Sequence, residues 1–382
     1  MLATSGPALN RQPPRVWVLL GKGTGGNNQM RTLADALGWP YELKQLRHNK
    51  LNALPTLLLG ASDITLDKDG SSPLVPPWPD VVIAASRRAA PVALWIKKQS
   101  GGRTQLVHLL HAQAPLHWFD LVLTLPQYRL PHRDNVVHLA GALNRIDRAR
   151  IDAAAEKWRP RLQRLARPWT ALLVGGSSSS YELDTARAAE LGRAASARAR
   201  ASAGSLLVTT SPRTPPDAAA ALAQAIDAPS FVYLWKPDDA DNNPYHGFLA
   251  LADDFIVTVD SASLLVEAAG TGRPVAVFEW PRRGGAGPRG LQRWVGSAIY
   301  DELIYWGALK PPRDFDAYHR EMKRRGLAYR LGDAPPPRRQ PLDDIERAVQ
   351  SISRLLDFPA GTVQTSSSAP STAAGTGALL PS

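Results

Sequence analysis

Short, almost wholly apolar runs rich in Val, Leu and Ile alternate along this chain with longer segments of helical spacing. The runs predict strands at 15–20, 80–84, 105–108, 121–124 and 136–139 and, beyond Arg167-Pro168, at 170–174, 205–209, 231–234, 255–259 and 275–278. They are continuously apolar instead of alternating, which fits strands buried on both faces in parallel sheets under helices. The expected class is therefore α/β, with two Rossmann-like doubly wound domains facing across a cleft. Ile151, Ala155, Trp158, Leu162 and Leu165 recur at three-to-four spacing and predict a helix that closes the first series. Expected boundaries are 15–165 and 166–340 for the two domains and 341–358 for a closing helix that opens at Asp343 and Asp344. A Ser/Thr/Ala/Gly/Pro tail over 359–382 is expected to be disordered.

Residues 255–281 are the most telling stretch, a strand, a helix and a second strand. The strand runs into Asp260 and Ser261, both good helix N-caps, so a helix N-terminus is expected to open at the strand's carboxyl end. That is where α/β proteins hold phosphates.

Composition narrows the chemistry. Of 382 residues 44% are hydrophobic and none is Cys, which removes disulfides, thiolate metal sites and cysteine nucleophiles. The first residues lack a continuous apolar stretch, and no uncharged apolar run reaches the roughly 18 residues a membrane helix needs, so a soluble, cytoplasmic protein is expected. The net charge is +11. A basic surface attracts phosphates and anionic lipid, which leaves peripheral membrane contact and a protein partner open. The excess is scattered, at 282–283, 323–325 and 338–339, without interleaved aromatics, so no specific nucleic-acid partner is expected.

After the first strand, Gly21–Gln29 brings four glycines and three amides to a helix start. Neither the phosphate-loop ending nor the dinucleotide fingerprint fits. The segment is either a ligand-free turn or an acceptor-side contact made by Gly23, Gly25, Asn27, Asn28 and Gln29, the reading the amides favour. Arg87 and Arg88, after the second strand, are either phosphate partners or solvated. His108 and His111 flank the third strand's end, and His111 is the candidate base if it is not structural.

The second series repeats the device at Gly175, Gly176, Ser177 and Ser178, either a diphosphate cradle or a plain Gly-Ser turn. Ser211 and Arg213 follow the next strand, and Arg213 could fork onto phosphate. Asn243, Tyr245 and Phe248 suit either a base or sugar contact or a helix staple. The acidic run 238–241 is read as a solvated loop, and no metal site is expected. Ser263 and Glu267 fall on one helix face, so Glu267 can reach towards a ribose at the N-terminus; a surface Glu is the alternative.

The order G-K-G-x-G-x-N-N-Q, P-D-V-V-I-A-A-S-R-R, F-D-L-V-L-T-L-P, G-A-L-N-R-I, G-G-S-S, T-T-S-P-R-T-P, N-P-Y-H-G-F and V-D-S-A-S-L-L-V-E-A resembles the mitochondrial fission protein family of the elongated-mitochondria type, over residues 15–330. The resemblance implies the GT-B architecture of nucleotide-sugar glycosyltransferases. It also implies Gly175–Ser178 and Ser261–Ser263 at a diphosphate, Glu267 at a ribose, a nucleoside diphosphate sugar as substrate with an unknown acceptor, and no tightly bound cofactor. Where relatives carry His-Asp after the fourth strand's proline, this chain has Gln127-Tyr128, which removes a candidate acid/base. The competing readings are a non-catalytic interaction protein on the same scaffold and a nucleotide-sugar epimerase or other Rossmann oxidoreductase.

Overall fold

Every residue of β1 (Val16–Leu20) and β3 (Val81–Ala85) is buried, as their uninterrupted apolar sequences demand. They lie side by side in the first of two six-stranded sheets. The computed structural model describes residues 12–144, 147–178, 180–282, 296–311, 313–337 and 339–361.

Between the two strands run α1 (Thr24–Leu37), β2 (Tyr41–Gln45) and the short α2 (Thr56–Leu59). Gly38, left-handed at φ 66°, ends α1. After β3 come α3 (Ala90–Gln99), β4 (Gln105–Leu109), β5 (Leu121–Thr124) and β6 (Val136–His138). All pairings are parallel, in the order β2-β1-β3-β4-β5-β6. Strand β2 was not expected from the sequence. Its Tyr-Glu-Leu-Lys-Gln carries charge on an exposed edge, and burial, the signal that marks the other strands, is absent there.

The helix α4 (Arg148–Leu162) buries Ile151, Ala155, Trp158 and Leu162, the expected face. The second sheet is built from β7 (Trp169–Leu173), α5 (Thr185–Ala201), β8 (Ser205–Thr209), α6 (Pro216–Gln224), β9 (Ser230–Tyr233), α7 (Tyr245–Leu251), β10 (Asp254–Thr258), α8 (Ala262–Gly270) and β11 (Val275–Phe278). Further on come α9 (Ser297–Tyr305), α10 (Phe315–Arg324), the two-residue β12 (Tyr329–Arg330) and α11 (Asp344–Leu356). Its order is β12-β11-β10-β7-β8-β9, again all parallel. The strand β12 escaped sequence reading because two residues carry no periodicity.

Although α4 closes the first series in sequence, it packs on α7 of the second. Trp158 meets Phe231 and Phe248 edge to face at 5.7 and 6.5 Å. A Cβ on Gly247 would lie 2.5 Å from the Trp158 ring, so that helix crossing requires glycine. Phe248 is fully buried in this cluster and is not available to stack on a ligand.

The closing helix returns to the first sheet. Both carboxylate oxygens of Asp344 accept backbone N–H groups, from Ala140 and Gly141, at 2.8 Å, and Arg347 donates to the His138 carbonyl at 3.0 Å. Residues 359–361 of the expected tail pack on the end of α1: Trp39 Nε1 donates to the Pro359 carbonyl at 3.0 Å and Gly361 N to the Leu37 carbonyl at 2.8 Å. The rest of that expectation, 362–382, lies outside the described residues. Among the described residues no helix is long and apolar enough to cross a membrane.

Candidate functional site

Each sheet has one place where the chain reverses its direction of strand addition, between β1 and β3 and between β7 and β10. There the loops at the strands' carboxyl ends diverge and leave a crevice. The sequence-predicted residues collect at these two crevices and at the seam between them.

In the second crevice the glycine loop is tied to protein. Gly175 N donates to Thr258 Oγ1 at 2.8 Å, Ser177 N to the Arg213 carbonyl at 3.0 Å, and Ser178 N to the Tyr181 carbonyl at 2.8 Å. The hydroxyls of Ser177 and Ser178 accept N–H groups from the loop that follows, at Leu183 and at Ser180 and Tyr181. Ser211 Oγ and Thr214 Oγ1 both donate to the Gly175 carbonyl. The glycines permit this contact. A Cβ on Gly175 would lie 2.4 Å from Asp260 Oδ2, and one on Gly176, at φ 133°, 2.1 Å from the Arg213 carbonyl oxygen. This loop does not open a helix, since α5 begins later and is capped by Asp184.

Asp260 is not the helix cap that its position suggested. Its fully shielded carboxylate turns towards Gly175 and forms an ion pair with Arg213 Nη1 at 2.8 Å. Neither of its oxygens has a well-directed hydrogen bond among the described residues, and burial raises its pKa above the usual carboxylate range in spite of Arg213. Arg213 is thereby engaged, though half-exposed. The cap of α8 is Ser261, whose Oγ accepts Leu264 N. The N–H groups of Ala262 and Ser263 have no protein partner among the described residues.

Glu267 lies at the seam. Asn144 Nδ2, from the far side, donates to Oε1 at 3.0 Å, and the Tyr245 hydroxyl donates to Oε2 at 2.5 Å. Burial holds the Glu267 carboxyl above its ordinary pKa, and lifts the Tyr245 phenol as well. Asn243 Oδ1 accepts Tyr245 N at 3.0 Å, so it caps locally. Glu267 walls a cavity of about 260 Å³ with Asn28, Arg31, Asn144, Arg150 and His246. Asn144 and His246 sit inside motifs quoted above, but nothing local in the sequence marks Asn144 as a partner of Glu267 or His246 as a wall of its cavity.

The first crevice is open. Of the three amides at the start of α1, Asn27 closes the loop on Gly21, donating to its carbonyl at 2.8 Å and accepting its N–H at 3.1 Å. Gln29 is buried, and its Oε1 accepts Leu143 N at 3.2 Å. Asn28 alone stays exposed. Arg87 is a structural strut, bound through its guanidinium to the carbonyls of Asn52 and Leu54 at 2.6 and 2.7 Å, whereas Arg88 is exposed. Around a hollow of about 410 Å³ stand Gly21, Lys22, Gly23, His48, Arg88, His111 and Arg313, the last reaching across from the segment before α10. His108 is not in it. That ring is fully buried under Phe119, its Nε2 donates to the Ser86 carbonyl at 3.2 Å, and burial lowers its pKa to about 4. His111 is only 8% exposed and is likewise pushed to about 4, chiefly by burial and then by the charges of its neighbours, so its imidazole is neutral near pH 7.

Two doubly wound parallel sheets facing across a cleft, with the last helix returning to the first sheet, define a GT-B-like α/β protein. The model of the mitochondrial fission ELM1 family matches residues 24–294, well over half of the sequence, and the chain belongs to that family. It is 30% identical over 235 residues to the mitochondrial fission protein ELM1 of Arabidopsis thaliana, covering 56% of this chain and 52% of that protein. The chain thus spans about half the length of that plant relative. It is 26% identical over 302 residues to the uncharacterized protein RP120 of Rickettsia prowazekii (strain Madrid E), covering 70% of this chain and 83% of that one.

Solved structures with a similar course include UDP-GlcNAc 2-epimerase from Methanocaldococcus jannaschii, at a TM-score of 0.45 and 11% identity over 89% of this chain and 99% of that one. Another is the catalytic domain of starch synthase IV from Arabidopsis thaliana bound to ADP and acarbose, at 0.45 and 11% over 89% and 100%. At that level the likeness assigns no residue.

Proposed function

We propose that this chain binds a nucleoside diphosphate sugar in the cleft between the sheets, as a glycosyltransferase-like protein. One observation carries the reading: a carboxylate at the seam, Glu267, lies on the same helix as the unpaired N–H groups of Ala262 and Ser263. Each oxygen of Glu267 accepts one hydrogen bond from protein and retains a second lone pair for a ribose hydroxyl. The α8 N-terminus and the half-exposed Arg213 suit the diphosphate. In a transfer reaction the acceptor hydroxyl attacks the anomeric carbon and the nucleoside diphosphate departs. The helix terminus and Arg213 would stabilise the growing negative charge, and the neutral His111 would take the acceptor's proton.

Calorimetric titration of uridine and other nucleoside diphosphates tests the reading. Wild type is expected to bind at least one, and Glu267→Gln to weaken it by roughly 10- to 100-fold, the worth of a charged hydrogen bond. If none binds wild type, the reading is wrong.

A second reading, binding without turnover, has its own support. Among the described residues no carboxylate hydrogen-bonds His111, whereas a catalytic imidazole is commonly oriented by one. Release of free nucleotide from a panel of sugar nucleotides would decide for transfer; binding without release would decide for the second.

A further inference from the structure

We propose that the open crevice at the carboxyl ends of β1, β3 and β4 is a second ligand site, built for an oxyanion, a phosphate or carboxylate carried by a small molecule, and held by Lys22, Arg88, Arg313 and the start of α1. The hollow of about 410 Å³ is large enough for a sugar-sized ligand. Four basic side chains line it, Lys22, Arg87, Arg88 and Arg313, and no Asp or Glu does. Lys22, Arg88 and Arg313 have no ion-pair partner among the described residues; Arg313 lies over the Tyr128 ring at 5.3 Å. Unpaired cations converging on a concave, partly dry wall create a field that selects negative charge.

The backbone adds to it. The 14-residue α1 has Gly23 at its N-cap without a side-chain cap, and no acidic residue in its first turn. Gly23 and Gly26 line the hollow, so the start of α1 borders it with first N–H groups that have no side-chain cap. Independently, His111, 92% shielded, lines the same hollow with no hydrogen-bond partner among the described residues.

Of the six non-glycine residues at positive φ among those described, three rim this crevice: Ser86 (78°), Leu110 (71°) and Gln113 (54°). Such backbone costs free energy and gathers where a site is shaped. Finally, a Cβ on Gly21 or Gly23, both in the wall of the hollow, would meet nothing within 4 Å. No protein atom requires glycine there. The space those glycines leave is available to a ligand.

That the anion belongs to the acceptor rests on the transfer reading above; the binding of an anion does not. The test is calorimetric titration of the full chain with glucose 6-phosphate, glucuronate and glucose. At least one charged sugar is expected to bind at one site and glucose not to, and the charged probe that binds distinguishes phosphate from carboxylate. Arg88→Ala is expected to weaken that probe about tenfold or more. Arg200→Ala, which removes a surface cation paired with Asp227 elsewhere, is expected to leave affinity unchanged. Gly21→Ala is expected to weaken binding while the melting temperature holds, because Gly21 lines the hollow and a Cβ there meets no protein atom within 4 Å.

Equal binding of glucose, no binding of either charged sugar, or full affinity in a Lys22→Ala, Arg88→Ala double variant would overturn the proposal. If sugar nucleotides fail to bind but the charged sugar does, only the acceptor role is lost, and the anion site stands.

Discussion

The two crevices arise from the same topology and end in opposite states. Between β7 and β10 the glycine loop packs against Arg213 and Asp260, and its N–H groups are consumed by protein. Between β1 and β3 a Cβ on Gly21 or Gly23 would meet nothing within 4 Å, and Lys22, Arg88 and Arg313 around them have no ion-pair partner among the described residues. A glycine-rich loop after a strand thus has two meanings. It lets two parts of the protein approach, or it keeps a space free, and only the surroundings say which.

The contrast is broken most directly at Gly176. Valine there must accommodate φ 133° and a Cβ 2.1 Å from a backbone oxygen, so Gly176→Val is expected to lose more than ~3 kcal/mol or to fail to fold. Gly21→Ala at the open crevice is expected to stay within ~0.5 kcal/mol of wild type. Equal denaturant midpoints for the two variants would remove the distinction.

Next in size is the tie between the two halves. Asp344→Ala leaves the N–H groups of Ala140 and Gly141 buried without an acceptor, at a cost of about 2–4 kcal/mol. Chemical denaturation would read it directly, and a loss below ~1 kcal/mol would show that the closing helix holds through its apolar face alone.

Acid sharpens the comparison from the first crevice. His108 and His111 titrate near 4 in the folded chain, below the ordinary 6.5, so the unfolded chain binds more protons between those values. Their contribution is complete above about pH 6.5 and is lost as pH falls towards 4, with a slope of up to ~1.4 kcal/mol per pH unit for each proton. His111→Gln is expected to flatten that slope by about one proton, and an unchanged slope would contradict a neutral, buried His111.

A small effect is expected at the second crevice. The ionised form of Asp260 is already disfavoured by burial, and Arg213 reaches solvent, so Asp260→Asn is expected to change stability by no more than ~1 kcal/mol. A much larger loss in thermal unfolding would make the Arg213 ion pair the main tie among these loops.

Much of the fold was legible in the residues. The ten strands with continuous apolar sequences, the apolar face of α4 and the closing helix all follow from patterns within a few residues. The edge strands β2 and β12 did not show, because an exposed edge needs no apolar run and a two-residue strand has no period. The site was legible as a set of positions but not as a set of roles. Asn27, Gln29 and Arg87 looked like ligand contacts and are structural struts; Asp260 looked like a cap and is a buried ion-pair partner. Lys22 and Arg313 drew no notice.

What the sequence determined by itself is whatever local burial and backbone preference decide: where strands run, where Ser261 starts a helix, where Gly38 stops one. What only the tertiary structure decided is which distant groups meet. Asn144 and Glu267, 123 residues apart, bond only because two sheets dock across a seam. Whether a cation is neutralised or left for a ligand depends on the acidic groups that this docking brings near it, and no spacing along the chain encodes that.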